Sequence, residues 1–452
     1  MLPVSLIILS LLQKDVIQPQ VGLLSTLVGP SAKVAPVSKG LSVDFTITPA
    51  GEVSVSGDEL KTPIWKGSCR LSEADLAYRD GILSANFSLA NGAGTSIQGV
   101  RFDFVSVTEA YKVKLDDGTE GTKTRMETVE FSSPCYFGDL ADQESSISIP
   151  GSVKGIKLNP ETVNVRVHAV ISGLTFHKQF LHPKSSLKGC GVVVDPNGDV
   201  VVGEGNHKAL WRFSEDGEFK GEFGTLPAEG REVALNPVTH DYLVGLYNQH
   251  NCVRVTQDGT TAPAFPGNLD EWPGDARFDS KGRLFMKVGT KVSTFEDYKI
   301  SASSGNRIGG FSIRPGDPFD LSGDQVLWIL ATNNLVKTDP NFGNSETVVK
   351  MGTGGLGEIV PTGRSGMRCS PDGGIFLSED GVNAKILPRV SVFDAQGRFV
   401  RTFGMAGQKA NFHAYLPGQF HATPRDFAFG SSGQVYVTQY DSTCGLIEFI
   451  QF

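Results

Sequence analysis

The chain has 452 residues, with 53 glycines, 24 prolines and only 20% charged residues, a composition that suits a turn-dense all-β protein and excludes one small core or a disordered chain. Its 41 basic and 49 acidic residues leave a net charge of −8, so the overall positive field that nucleic acid or an anionic membrane would need is missing, and nucleic acid is set aside as a partner. The six cysteines include no Cys-x-x-Cys pair, which removes support for a zinc ribbon or a redox dithiol; Cys69 and Cys135 could pair, and the other four read as small buried apolar residues.

Leu2 to Leu12 is apolar apart from two serines. It is shorter than the roughly 20 residues that span a bilayer but has the length of a secretory apolar core. No Lys or Arg precedes it and no clear small-x-small cleavage site follows. It is read as an export signal, which places the protein in the periplasm, at the cell surface or outside a bacterial-type cell; the competing reading is an apolar N-terminal strand. No later segment has the length and apolarity of a transmembrane helix.

From Leu41 onward apolar and polar residues alternate between turns, in Val43–Ile47, Glu52–Ser56, Ile82–Leu89, Ile97–Val107, Thr128–Phe131, Ser146–Ile149 and Val163–Val170. About seven short strands predict a β-sandwich over residues 41–173. Phe87 to Phe102 resembles the accessory immunoglobulin-like domains of exported bacterial proteins, although Trp65 precedes Cys69, so the cysteine–tryptophan–cysteine order of antibody domains is absent. No catalytic constellation stands out in this part.

Six turns then follow a common pattern: Asp195–Gly198, Asn236–Asp241, Asp279–Gly282, Asp320–Gly323, Ser370–Gly373 and Gly430–Gly433, stepping by 42, 42, 41, 50 and 60 residues. An apolar, β-branched or aromatic run follows each one. A period near 42 is that of a four-stranded propeller blade, with loop insertions in the longer steps, so residues 174–452 are predicted to form a six-bladed β-propeller. The last copy lacks a fourth strand, and Leu174–Leu181 matches Phe219–Phe223 and Phe399–Phe403 closely enough to supply it and remove an open edge. The expected organisation is therefore a signal-like segment and linker over 1–40, an Ig-like sandwich over 41–173 and the propeller over 174–452.

Val192–Val202, Arg389–Gly404 and Leu416–Val437 resemble NHL repeats. That resemblance implies a six-bladed ring but leaves open a protein-binding, RNA-binding or enzymatic role. At the mouth of such a ring the segments leading into the innermost strands carry Arg231, Glu232, Asp275, Arg277, Arg368, Arg425 and Asp426, with His250 and His421 on neighbouring loops. Glu232, Asp275 and Asp426 fall in one column. They read first as ion-pair partners of neighbouring arginines and second as oxygen ligands of a divalent cation, calcium or zinc. Gluconolactonase-type six-bladed lactonases resemble this second arrangement, and an NHL-type amidating lyase would use histidines such as His250, His413 and His421. Gly352–Gly357 matches Gly-x-Gly-x-x-Gly, but Pro361 and Gly363 leave no room for the helix a dinucleotide site needs. The preferred expectation is an exported module binding a protein, peptide, small molecule or glycan rather than an enzyme; the alternative is a metal-dependent hydrolase or lyase at the axis.

Overall fold

A computed structural model describes residues 33, 35, 40–57, 70–90, 95, 97–131, 135–136, 147–181, 188–303, 307–308, 311–312, 317–331, 334–350, 352, 357–359, 366–379, 388–404, 418, 420, 424–439 and 445–451. The apolar run 2–12, Cys69 and Cys444 lie outside these residues, as does the side chain of Cys135, and with them the proposed disulfide.

Turns between the first and second strands of the blades are set by local devices. In blade one Asp195 Oδ1 accepts from the amides of Asn197 (2.8 Å) and Asp199 (3.0 Å), and in blade three Asp279 Oδ1 accepts from Lys281 (3.1 Å) and Arg283 (2.8 Å). A side-chain oxygen that folds the backbone onto itself makes the hairpin form from neighbours in sequence. The turns then pass through a residue at positive φ: Gly198, Gly282, Gly323, Gly373 and Gly433, with His240 at 61° in blade two.

Behind these turns stand five four-stranded antiparallel sheets and a sixth blade whose strands belong to a larger, nine-stranded sheet. Their innermost strands are Gly189–Val194, Gly230–Leu235, Pro273–Phe278, Phe319–Ser322, Met367–Cys369 and Pro424–Phe429. Each touches the next, and the sixth touches the first, so the ring is closed. The strands approach tightly: a Cβ on Gly191 would lie 2.3 Å from the Val233 nitrogen, and one on Gly366 2.0 Å from the Arg425 carbonyl. Apolar clusters fill the spaces between blades, such as Phe285, Phe319, Trp328 and Met367 between blades three, four and five.

The seam is made by one long strand, Thr162–Gln179. Its C-terminal part pairs antiparallel with the last strand of the chain, Leu446–Gln451, with Leu174 opposite Gln451 and Gln179 opposite Ile447. Its earlier part pairs with Leu41–Ile47, Ile171 opposite Leu41, and its other edge runs along Ile97–Lys114.

The expectation of a separate Ig-like sandwich is corrected by this strand. The N-terminal strands and blade six form a single nine-stranded sheet. The physical reason is that the strand Thr162–Gln179 continues through Gly173, buried from Ala169 to Thr175 and with only a register shift between Ser172 and Leu174 against Ile97–Lys114, so there is no linker at which a domain could end. A second sheet, of Arg70–Arg79, Ile82–Ala90, Ile147–Lys154 and Glu130–Phe131, packs on the first through Phe45, Phe102 and Phe104 against Leu83, Ala85 and Val153. Polar clasps add to the shared strand: Arg101, 1% exposed, donates to the carbonyls of Ala35 (2.7 Å) and Val400 (2.5 Å) and pairs with Asp103 (2.9 Å). The Gly404 amide donates to Gln98 Oε1 at 2.8 Å. Among the described residues no helix is long and apolar enough to cross a membrane.

Candidate functional site

The innermost strands carry charged side chains toward the axis, and most of them meet partners from other blades. Arg277 of blade three pairs with Asp320 of blade four at 2.9 Å. Arg368 of blade five grips Asp426 of blade six with two contacts of 2.8 Å. The cross distances are 4.0 Å from Arg368 to Asp320 and 3.6 Å from Arg277 to Asp426. Two cations and two anions thus close a quartet that spans four blades. Blade one joins through the Val192 amide, which donates to Asp426 Oδ2 at 3.1 Å, and the Cys369 amide donates to Asp320 Oδ2 at 2.6 Å.

Electrostatics follow from the pairing. Burial opposes the charge on Arg368, but Asp426 and Asp320 outweigh it and hold the guanidinium firmly protonated. Burial raises the Asp320 carboxyl above its ordinary range, and Arg277 and Arg368 oppose that rise.

Across the channel burial dominates the electrostatics. Glu232 of blade two is half-buried. Burial, followed by the neighbouring Asp275 and Asp426 charges, pushes its carboxyl up to about 8, against the pull of Arg277 and Arg425. Lys287, 3% exposed on the second strand of blade three, donates to the Asp317 carbonyl at 2.6 Å. Burial brings its ammonium down to about 8, while Asp275 and Asp317 act the other way. Two groups that change charge near neutrality therefore share one neighbour, Asp275. Beside them Cys190 is a thiol, pushed up to about 12 by burial and by Glu232 in spite of Arg425 and Arg231.

At the mouth, the Arg231 guanidinium lies 3.4 Å from the centroid of the Tyr247 ring, a cation–π contact. Tyr247 and Trp272 are exposed on this face. His250 is turned away from the acids: its Nδ1 lies 3.1 Å from the Leu269 carbonyl oxygen, and its ring meets Trp272 edge-on at 6.1 Å.

Of the residues singled out from sequence, Arg231, Glu232, Asp275, Arg277, Arg368, Arg425 and Asp426 all lie on innermost strands facing this channel, and His250 lies on the mouth loop of blade two. His421 and His413 are outside the described residues. Sequence reasoning missed Lys287 and the axial role of Asp320. Asp320 had the look of a turn opener, but blade four closes its hairpin with only residues 323–325 between Ser322 and Val326, which leaves Asp320 inside the strand. Lys287 gave a signal, a lone cation inside an apolar second strand, Leu284–Val288.

Whether the acid column fits a divalent cation can be judged from its donors. Among the described residues no three of His, Cys, Asp and Glu are gathered as a metal would require. Asp426 faces two guanidinium groups and an amide, so a cation there would displace ion pairs already made. The donor set does not fit calcium or zinc.

No family model and no curated relative matches the chain. Solved structures of similar fold include a gluconolactonase from Xanthomonas campestris (12% identity, TM-score 0.44, covering 62% of this chain and 90% of that one) and a calcium-binding regucalcin from Agrobacterium tumefaciens (15%, 0.43, 61% and 94%). A virginiamycin B lyase from Staphylococcus aureus also aligns (13%, 0.41, 78% and 99%). The expectation of an NHL-repeat binding module, leaning away from an enzyme, is corrected here: no NHL model matches the chain, and the solved structures of similar fold include a gluconolactonase and a lyase.

Proposed function

We propose that the chain is an enzyme, a hydrolase or lyase working by proton transfer at the axis of the ring, with Glu232 as its acid–base group. The observation that carries this reading is the Glu232 carboxyl, half-buried beside Asp275 and balanced at about 8. A carboxylic acid kept protonated at neutral pH can give its proton to a leaving oxygen, and its conjugate base can take one from water or from a carbon next to a carbonyl. Arg231 and Arg425 bring positive charge to the same corner, which suits a substrate that develops negative charge on oxygen as it reacts. Small esters and lactones meet that requirement. No divalent cation is part of the reading, because Asp426 is committed to Arg368 and Arg277.

The test is turnover of a panel of small esters and lactones by the full chain. Glu232→Gln should lower kcat/KM by at least about 100-fold and abolish the pH limb near 8, with the denaturation midpoint showing that the variant folds. A panel left untouched by the wild type, or turnover equal in the variant, would sink the proposal. The apolar run Leu2–Leu12 supports an exported enzyme, and recovery of the chain in periplasm or medium after expression in a bacterium checks that part.

A further inference from the structure

We propose that a second site, on the outer flank of blade three, binds a small amphiphile: a compact aromatic or branched apolar body carrying one cationic amine. A cavity of about 380 Å³ lies between the connector from blade two to blade three and the outer hairpin of blade three, Lys291–Glu296 with Lys299–Ser303. Ligand sites commonly measure roughly 300–1,000 Å³, so one ring and a short chain fill it.

The floor is aromatic. Phe265 packs edge-on against Phe295 at 5.3 Å and against Tyr298 at 5.5 Å between centroids. Phe265 and Phe295 are buried, whereas Tyr298 is half-buried. Tyr298 is held in place at a cost: Asp297 and Tyr298 form the hairpin turn with φ of 48° and 58°, a conformation that favours Asn-Gly and that bulky residues seldom adopt. Strain retained around a concave surface is a recurring mark of ligand sites. The opposite wall is firmly tied. The Ala264 amide donates to the Cys252 carbonyl (2.9 Å), Asn251 Nδ2 to the Gly267 carbonyl (2.9 Å) and the Leu269 amide to the His250 carbonyl (2.6 Å).

The charge of the ligand follows from the lining. The lining holds Asp270 and Glu271 against one cation, Lys291, while Arg254, outside the lining, lies 5.2 Å from the Tyr298 ring centroid; the lining is thus net negative on a chain that is itself at −8, and an amine is favoured over a carboxylate. The Ile300 side chain, at 65% exposure on the cavity's edge, is apolar surface that the body of the ligand would cover.

Calorimetric titration of the full chain with 2-phenylethylamine and with 3-phenylpropionate, similar in size and opposite in charge, tests the proposal. The amine should bind about tenfold more tightly, equivalent to 1.4 kcal/mol. Ile300→Lys, at an exposed position that leaves the fold intact, should weaken amine binding by about tenfold, and Leu269→Trp, which fills the space, should do the same. Glu232→Gln should leave it unchanged. Equal binding of amine and acid, no binding of the amine, amine binding that survives Ile300→Lys, or amine binding lost in Glu232→Gln would each overturn it, the last by moving the ligand to the axis.

Discussion

Two arcs of the same channel wall are built from the same residue types and behave oppositely. On one arc Arg277, Asp320, Arg368 and Asp426 alternate in sign, and each ion has a partner of opposite charge on another blade. On the other, the Asp275 and Asp426 charges act on the Glu232 carboxyl more strongly than Arg277 and Arg425 do, and Lys287 is buried and donates to the Asp317 carbonyl. Pairing makes the first arc a structural clasp. Burial, with like charges beside Glu232, leaves the second able to exchange protons near neutral pH. What separates a clasp from a reactive corner in this ring is the order of signs around the circle.

The sharpest way to break the comparison is Arg368→Met. It leaves Asp320 and Asp426, both buried, with Arg277 as the one remaining cation of the quartet, and a broken buried pair costs about 3–5 kcal/mol. Denaturant unfolding at pH 7 should show a loss of that size, and a loss under about 1 kcal/mol would mean the quartet is not a clasp.

Glu232 and Lys287 provide a second contrast, through pH. Because the folded Glu232 carboxyl titrates at about 8 rather than 4.5, the folded chain binds more protons than the unfolded chain between those values. Its stabilising share is full below 4.5 and is lost as pH rises to 8, by up to about 1.4 kcal/mol per pH unit, reduced by residual solvent access. Lys287, lowered from 10.5 to about 8, acts in the next window. There the unfolded chain binds more protons, so stability recovers between 8 and 10.5. Glu232→Gln should flatten only the acidic limb and Lys287→Met only the alkaline one, as read by unfolding across pH 4 to 11; identical curves for both variants would refute the assignment.

The mildest perturbation serves as the reference. Arg398 and Asp394 form the same kind of ion pair, at 2.7 Å, at the exposed end of blade five. Arg398→Ala should cost less than about 1 kcal/mol in the same unfolding assay, which would separate burial from pairing as the source of the Arg368 effect.

Much of the ring was legible because its signals are local. Asp195 and Asp279 fold their own turns, positive-φ glycines close them, and a repeat short of one strand points to the segment near Leu174 that supplies it. The acid column was legible for the same reason, since each member sits at a fixed offset from its turn. Which acids are neutralised was not legible, because Arg277 and Asp426 are 149 positions apart in sequence and 3.6 Å apart in space. Asp320 was hidden by one short hairpin. The continuity of Thr162–Gln179 was hidden by Gly173, which reads as punctuation and is, in the fold, one more residue of a strand.

That continuous strand also bears on how the molecule is made. Its partner, Leu446–Gln451, leaves a ribosome after the other described blade strands, while Thr162–Gln179 emerges before any blade. Throughout synthesis of the ring, the edge from Leu174 onward waits without its partner, and an unpaired edge is where strands of other chains add. Nascent chains halted short of Leu446–Gln451 should therefore be the most prone to associate with one another, and emergence of that strand should end the vulnerability in a single step.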